Sequence, residues 1–267
     1  MKSLSKVYNF LVFAFLYSPI VVMIVYSFNG IKSRSVFSGF SLQWYRELFQ
    51  DEVIMKSLYT SLLLAVVAAI ISTVIGTMAA IGINASKGIA KKIHLYVNNI
   101  PMVNPEIVTA VSMMILFVFV ISKSNTMEMG FGTLLISHIT FCIPYVTLEV
   151  LPKIKGMDSN IYNAALDLGC PPAKAFIKVV IPQIKPGIVT GMIMAFTLSL
   201  DDFIISYFNS GSTVQTLPVT IYSMTKKPYS PKINALSTLL FVVILFLLLI
   251  MNIKQSKSDG KKKGAKR

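Results

Sequence analysis

The sequence has few charged residues for its length. Asp, Glu, Lys and Arg make up 13% of the 267 residues, whereas 54% are hydrophobic and the mean hydropathy is +0.69. A soluble domain needs a polar exterior, so this composition excludes one. Uncharged runs of roughly 20 residues are typical of helices that cross a lipid bilayer. We therefore predict an all-α, polytopic membrane helical bundle.

Cysteines, histidines and nucleotide-binding motifs are also scarce. The two cysteines, Cys142 and Cys170, form no CxxC motif and predict no disulfide framework. No GxxxxGK[ST] segment occurs, so the phosphate-cradling loop of an ATPase is missing. His138, in a hydrophobic run, is more typical of a hydrogen-bonded core histidine than of a metal ligand. We expect a chain that is no enzyme and holds no metal or other cofactor of its own.

The net charge of +14 comes largely from a basic tail after Asn252. Such a tail behind a hydrophobic helix is more often a topology signal or a contact with anionic lipid than a nucleic-acid arm. We therefore expect membrane lipid, and no nucleic acid, as a partner of residues 254–267.

Six hydrophobic segments predict about six spans. With the N-terminus inside, 17 Lys and Arg residues lie on the cytoplasmic side and eight on the outer side. Because positive residues accumulate in the cytoplasm, both termini are expected there. The predicted spans are Tyr8–Phe28, Leu58–Ile83, Leu95–Ile121, Phe131–Leu151, Gly187–Phe208 and Ile233–Ile253.

The third predicted span contains a polar interruption. Asn104 suits an N-cap, Pro105 the first helical position, and Glu106 complements the helix dipole. We expect a kink or a helix restart at Asn104. Broken helices survive in membranes where protein or a water-filled cavity satisfies their backbone, so this break predicts a nearby pathway.

A polar connection at residues 152–186 separates the fourth and fifth predicted spans. Ser159 is expected to cap a short helix that stops at Gly169, and the prolines that follow are expected to start a second helix through Val180. The pair is predicted to end at Pro182. The first helix is short and mostly apolar, which is typical of a segment that binds a groove on a partner protein.

This connection resembles the EAA loop of permease subunits in binding-protein-dependent ABC importers. The resemblance is carried by Asn163-Ala164-Ala165, then Gly169 after three residues, and Val179-x-Ile181-Pro182 after nine more. It implies a type I ABC importer permease fold in which these residues contact a cytoplasmic ATPase. Asn163 stands where the family usually has Glu, and we expect it to weaken the usual charge contact without breaking the interface.

Further segments resemble the C-type permease subunits of spermidine/putrescine importers, the PotC family. The resemblance implies a bacterial inner-membrane protein that forms half of a translocation path. The implied partners are a second, B-type permease, a homodimeric A-type ATPase that binds ATP and Mg, and an extracytoplasmic, D-type polyamine-binding protein. The segments are Ser137–Pro144, Phe196–Asp202, Leu217–Met224, Ser230–Pro231 and Asn234–Leu236.

Two adjacent acids interrupt the fifth predicted span. A carboxylate near the bilayer centre costs about 2.5–3.5 kcal/mol, so Asp201 and Asp202 need a reason to be there. Neighbouring helical residues point about 100° apart, so the two are not expected to face one cavity. One could line a cation path while the other braces a neighbouring helix; alternatively, both are structural. Ser199 is a further candidate for the path.

The family resemblance adds two candidates for the substrate path. Glu106 matches an acidic residue implicated in transport, and its alternative role is dipole compensation at a helix start. Trp44, the only tryptophan, matches one implicated in activity. It could contact substrate through its ring face, or it could anchor the chain at the membrane interface.

Two other function classes compete with an ABC permease. A stand-alone, ion-coupled secondary transporter for a cationic solute could use the membrane acids as a relay, but it gives no reason for the long connection at residues 152–186. An intramembrane enzyme would need a catalytic pair across helices, and adjacent Asp201 and Asp202 diverge too far to share a proton. We expect residues 1–267 to form a single permease domain.

Overall fold

The computed structural model describes residues 2–33, 36–124 and 128–246. In these ranges the chain forms helices, and the one isolated β-bridge within them joins Asn29 and Phe40. The helices are α1 Lys2–Ser27, α2 Gln43–Phe49, α3 Glu52–Ala85, α4 Gly88–Val103, α5 Glu106–Ser124, α6 Phe131–Lys155, α7 Ser159–Asp167, α8 Pro172–Ala175, α9 Ile181–Asp201, α10 Ile204–Asn209, α11 Leu217–Thr225 and α12 Lys232–Phe246. The predicted membrane helical bundle is therefore confirmed.

Five helical segments are long and apolar enough to cross a membrane: Lys6–Ser27, Glu52–Ala85, Glu106–Lys123, Phe131–Lys155 and Pro172–Asp201. The shortest has 18 residues, or about 27 Å at 1.5 Å per residue, close to the thickness of the hydrocarbon core. The described part of the sixth predicted span is the shorter helix α12. The rest of that span and the basic tail lie outside the described residues.

The break predicted in the third span is present. α4 ends at Val103, Asn104 is extended (φ −72°, ψ 140°), and α5 restarts at Glu106. Pro105 has no N–H to continue the ladder, and it disfavours a helical conformation at Asn104. The third predicted span is thus two helices, and only α5 is long and apolar enough to cross.

The connection at residues 152–186 differs from the prediction at both ends. Asp158, and not Ser159, caps α7, because its side chain accepts a hydrogen bond from the N–H of Asn160 at 2.9 Å. The second helix does not end at Pro182. α8 continues through a π-helical turn at Phe176–Val180 into α9, and Pro182, which has no N–H to donate, follows directly after that turn.

The stop at Gly169 is confirmed and has a physical cause. Gly169 has φ +79°, a left-handed conformation that glycine adopts without a steric penalty. Its N–H donates to the carbonyl of Leu166 at 2.8 Å, and that of Cys170 donates to Ala165 at 3.0 Å. This pair of bonds is a Schellman motif, which satisfies the last carbonyls of α7.

The residues fall into two compact units, Met1–Met55 with Ile221–Arg267 and Lys56–Thr220. In the second unit, α6 and α9 pack at close range through Gly187 and Gly191. A Cβ atom at Gly187 would lie 2.9 Å from the carbonyl oxygen of Glu149, and one at Gly191 would lie 3.1 Å from Val146 Cγ1. This GxxxG spacing lets two membrane helices approach closely. The single permease domain stays a prediction.

Candidate functional site

The fifth predicted span breaks at Asp202. α9 ends at Asp201, the backbone of Asp202 is extended (ψ 124°), and α10 begins at Ile204. The Asp202 carboxylate accepts hydrogen bonds from the N–H groups of Ile205 at 3.2 Å and Ser206 at 2.8 Å. Asp202 therefore satisfies the first free N–H groups of α10, which need a partner wherever a helix restarts away from water.

His138 completes a buried polar cluster around this break. From α6, its Nδ1 is hydrogen-bonded to Oγ of Ser199 at 2.8 Å, and its Nε2 to Oγ of Ser206 at 3.1 Å. The same Nε2 lies 3.5 Å from Oδ2 of Asp202. All four side chains are buried, with at most 8% of each residue exposed. His138 is thus the hydrogen-bonded core histidine that its sequence context predicts, but its partners were not foreseen.

Asp201 and Asp202 point to different environments, as their helical spacing predicts. Asp202 is 8% exposed, whereas Asp201, one residue earlier, is exposed on the last turn of α9. Asp201 interacts electrostatically with Glu106, which is exposed on the first turn of α5. Tyr145 of α6 is within range of Glu106 as well. Each of the two helix breaks therefore carries an exposed acid within electrostatic range of the other, and cations are the ligands that such a pair attracts.

A shallow groove of about 280 Å³ lies beside the break between α4 and α5. Its polar groups are neutral, and no carboxylate is among its lining residues. It therefore lacks the fixed anion that a cation leaving water requires. Its lining comprises Ile100, Pro101, Asn104, Val108, Thr109, Ser112, Met113 and Leu116.

Trp44 belongs to the first unit and is 2% exposed. It lies in α2, and its indole N–H donates to the carbonyl oxygen of Asn29. The Asn29 side chain also binds the segment that precedes α2. It donates to the carbonyl oxygen of Val36 at 2.8 Å and accepts from the N–H of Ser38 at 2.9 Å. In this conformation the ring of Trp44 is buried and offers no open face to a ligand.

The residues of the EAA-like loop lie where a partner could reach them. Asn163 and Ala164 on α7 are exposed, as are Gly169 and Pro182, while Ala165 is half-buried. The apolar side chain of Leu168, at the end of α7, is 89% exposed. An apolar group that protrudes to this extent is typical of a surface that another protein covers.

Comparison with known proteins identifies the family. The sequence model of the binding-protein-dependent transport system inner membrane component matches residues 72–256. The chain belongs to this family. It is therefore a multi-pass inner-membrane transport subunit, and the resemblance found in its sequence is confirmed. The matched range contains the cluster at Asp202, Glu106 and the EAA-like loop, but not Trp44.

Relatives cover nearly the whole chain. The spermidine/putrescine transport system permease protein PotC of Haemophilus influenzae is 34% identical over 96% of this chain and 98% of its own length. The putrescine transport system permease protein PotI of Escherichia coli K12 is 36% identical over 85% and 82%.

Solved structures support the fold. A bacterial ABC transporter that imports the acidic polysaccharide alginate aligns over 94% of this chain and 95% of that chain, with a TM-score of 0.72 and 12% identity. An amino acid ABC transporter aligns over 80% and 94%, with a TM-score of 0.51 and 18% identity. The predicted type I ABC permease fold is therefore confirmed.

Proposed function

We propose that this permease forms one half of the translocation path of an ATP-driven polyamine importer. The observation that carries the proposal is the pair of exposed acids, Asp201 and Glu106, at two helix breaks of a chain whose full-length relatives are named for spermidine and putrescine. A di- or tricationic solute that sheds water needs fixed anions along its route.

The exposure of Asp201 and Glu106 also supports the presence of a second permease. A carboxylate exposed to hydrocarbon costs about 2.5–3.5 kcal/mol, and Asp201 and Glu106 are both exposed on the surface of this single chain. A B-type permease that covers this surface would enclose a polar route between the two subunits. Asp201 and Glu106 line that route, whereas Asp202 and Ser199 brace its wall from inside the protein.

The energy source is a separate, A-type ATPase dimer that binds ATP and Mg. α7 and its C-cap residue Leu168 dock in a groove of this ATPase, and their exposed surface includes Asn163 and Ala164. The continuous helix from α8 through the π-helical turn to α9 then connects the docking segment with Asp201 at the far end of α9. Both termini lie in the cytoplasm, and a D-type extracytoplasmic protein captures the polyamine.

A stand-alone secondary transporter is the competing function, and reconstitution distinguishes the two. The permease would be incorporated into proteoliposomes with the second permease, the ATPase and the binding protein, and uptake of labelled spermidine and putrescine would be measured. We expect uptake only with ATP, and none with an ATPase variant that cannot hydrolyse it. Uptake by this chain alone under an ion gradient would overturn the proposal. A neutral solute of similar length is the matched control substrate.

A further inference from the structure

The imidazole ring of His138 joins the two sides of the helix break at Asp202. Ser199, bonded to Nδ1, belongs to the last turn of α9, and Ser206, bonded to Nε2, belongs to α10. Sequence separations of 61 and 68 residues between these partners make both bonds tertiary. His138 is therefore fixed to both helices from a third one, α6.

The direction of these bonds follows from the charge of Asp202. A neutral imidazole has one N–H donor and one acceptor nitrogen. With the Asp202 carboxylate 3.5 Å from Nε2, the proton is favoured on that nitrogen, because an anion attracts the N–H dipole. Nδ1 then accepts from the hydroxyl of Ser199. Each nitrogen thus has its own partner, and a residue with only one polar end cannot replace both.

The connection extends from α10 to the helix that carries Glu106. The side-chain amide of Asn209 donates to the carbonyl oxygen of Ala110 in α5 at 3.2 Å. Glu106 lies one turn before Ala110 in α5, and Asp201 lies two residues after Ser199 in α9. The hydrogen bonds of His138 and Asn209 therefore link the segments that carry the two exposed acids.

We propose that His138 is a positioning residue that sets the angle between α9 and α10, and thereby the spacing of Asp201 and Glu106. The effect of this spacing on transport rests on the proposed function, whereas the distance measurement described below does not depend on it. His138 never meets the substrate, because it is fully buried. It acts by holding Ser199 and Ser206 at a fixed separation.

Three substitutions at His138 remove the hydrogen bonds to Ser199 and Ser206 separately or together. His138→Asn places its amide near the position of Nδ1 and keeps the contact with Ser199. His138→Gln reaches the position of Nε2 and keeps the contact with Ser206. His138→Phe keeps the ring volume without either bond. The matched control is His94→Phe, since His94 is exposed and bonds only locally to Ser86, at 3.1 Å.

The first measurement is the maximal rate of polyamine uptake by the reconstituted complex, together with its half-saturating concentration and the yield of assembled complex. We expect His138→Phe, which removes both hydrogen bonds, to lower the maximal rate about tenfold beyond any loss of yield, with the half-saturating concentration unchanged. Asn and Gln should give intermediate rates. A parallel loss of rate and yield in all three variants would show a role in folding alone and overturn the proposal.

The second measurement does not depend on the substrate. Nitroxide labels would be attached at Met194→Cys in α9, where the side chain is 40% exposed, and at exposed Ser212→Cys just beyond α10. A Cys170→Ser background leaves only buried Cys142. We expect one narrow distance distribution in the parent and a broader or shifted one in each His138 variant. An unchanged distribution in the Asn, Gln and Phe variants refutes the proposal, whatever solute the complex transports.

Discussion

The most decisive prediction is that Asp201→Asn and Asp202→Asn, two isosteric changes at neighbouring residues, fail in different ways. Asp202 accepts two backbone N–H bonds at the start of α10, and an asparagine has only one acceptor oxygen in place of two. A hydrogen bond to a charged group is worth about 1.5–3 kcal/mol. Removing the buried charge recovers part of its desolvation cost, so we expect a net loss of about 1–2 kcal/mol.

Asp201 makes no comparable contribution to stability, because its side chain is exposed. Surface substitutions usually change stability by less than about 0.5 kcal/mol, so Asp201→Asn should leave the fold intact. Its loss should appear in transport, since it removes one of the two exposed acids on the proposed route. We expect uptake to fall sharply with a normal yield of assembled complex.

The assay compares both variants with the parent in one preparation. The fraction of monodisperse permease after heating reports stability, and labelled polyamine uptake per assembled complex reports function. Asp202→Asn should lower the midpoint of the heating curve and the yield, with uptake per surviving complex closer to the parent. The opposite pattern, a stable Asp202→Asn protein that cannot transport and an unstable Asp201→Asn protein, would refute the assignment of the two acids.

Three further substitutions test other parts of the fold and the proposed path. Gly187→Ala should destabilise the permease by about 1–3 kcal/mol in thermal inactivation, because its Cβ would meet the backbone of α6, whereas Gly82→Ala, with open space around it, should be neutral or stabilising. Glu106→Gln should reduce uptake while the binding protein captures polyamine normally; full uptake would leave Glu106 with a role at the helix start only. Asn163→Glu should leave co-purification with the ATPase unchanged or stronger, and dissociation of the complex would mean that the EAA-like register is misplaced.

Much of the architecture follows from local properties of the chain. Uncharged runs predicted the spans because the bilayer excludes charge and leaves helices as the way to satisfy the backbone. Pro105 predicted the break in the third span, and Gly169 predicted the end of α7, since each acts through its own backbone geometry. These outcomes depend on a few consecutive residues, which a sequence displays directly.

The roles of the membrane acids depend instead on residues far apart in the chain. The sequence predicted that Asp201 and Asp202 diverge, but not which of them turns inward. That choice depends on the end of α9 at Asp201 and on His138, which comes from another helix. Likewise, the burial of Trp44 depends on the loop that returns to Asn29. Hydrophobicity and helix-breaking residues are local, whereas a buried polar group takes whichever partner the packing of distant helices brings within hydrogen-bond distance, and only the tertiary structure decides that.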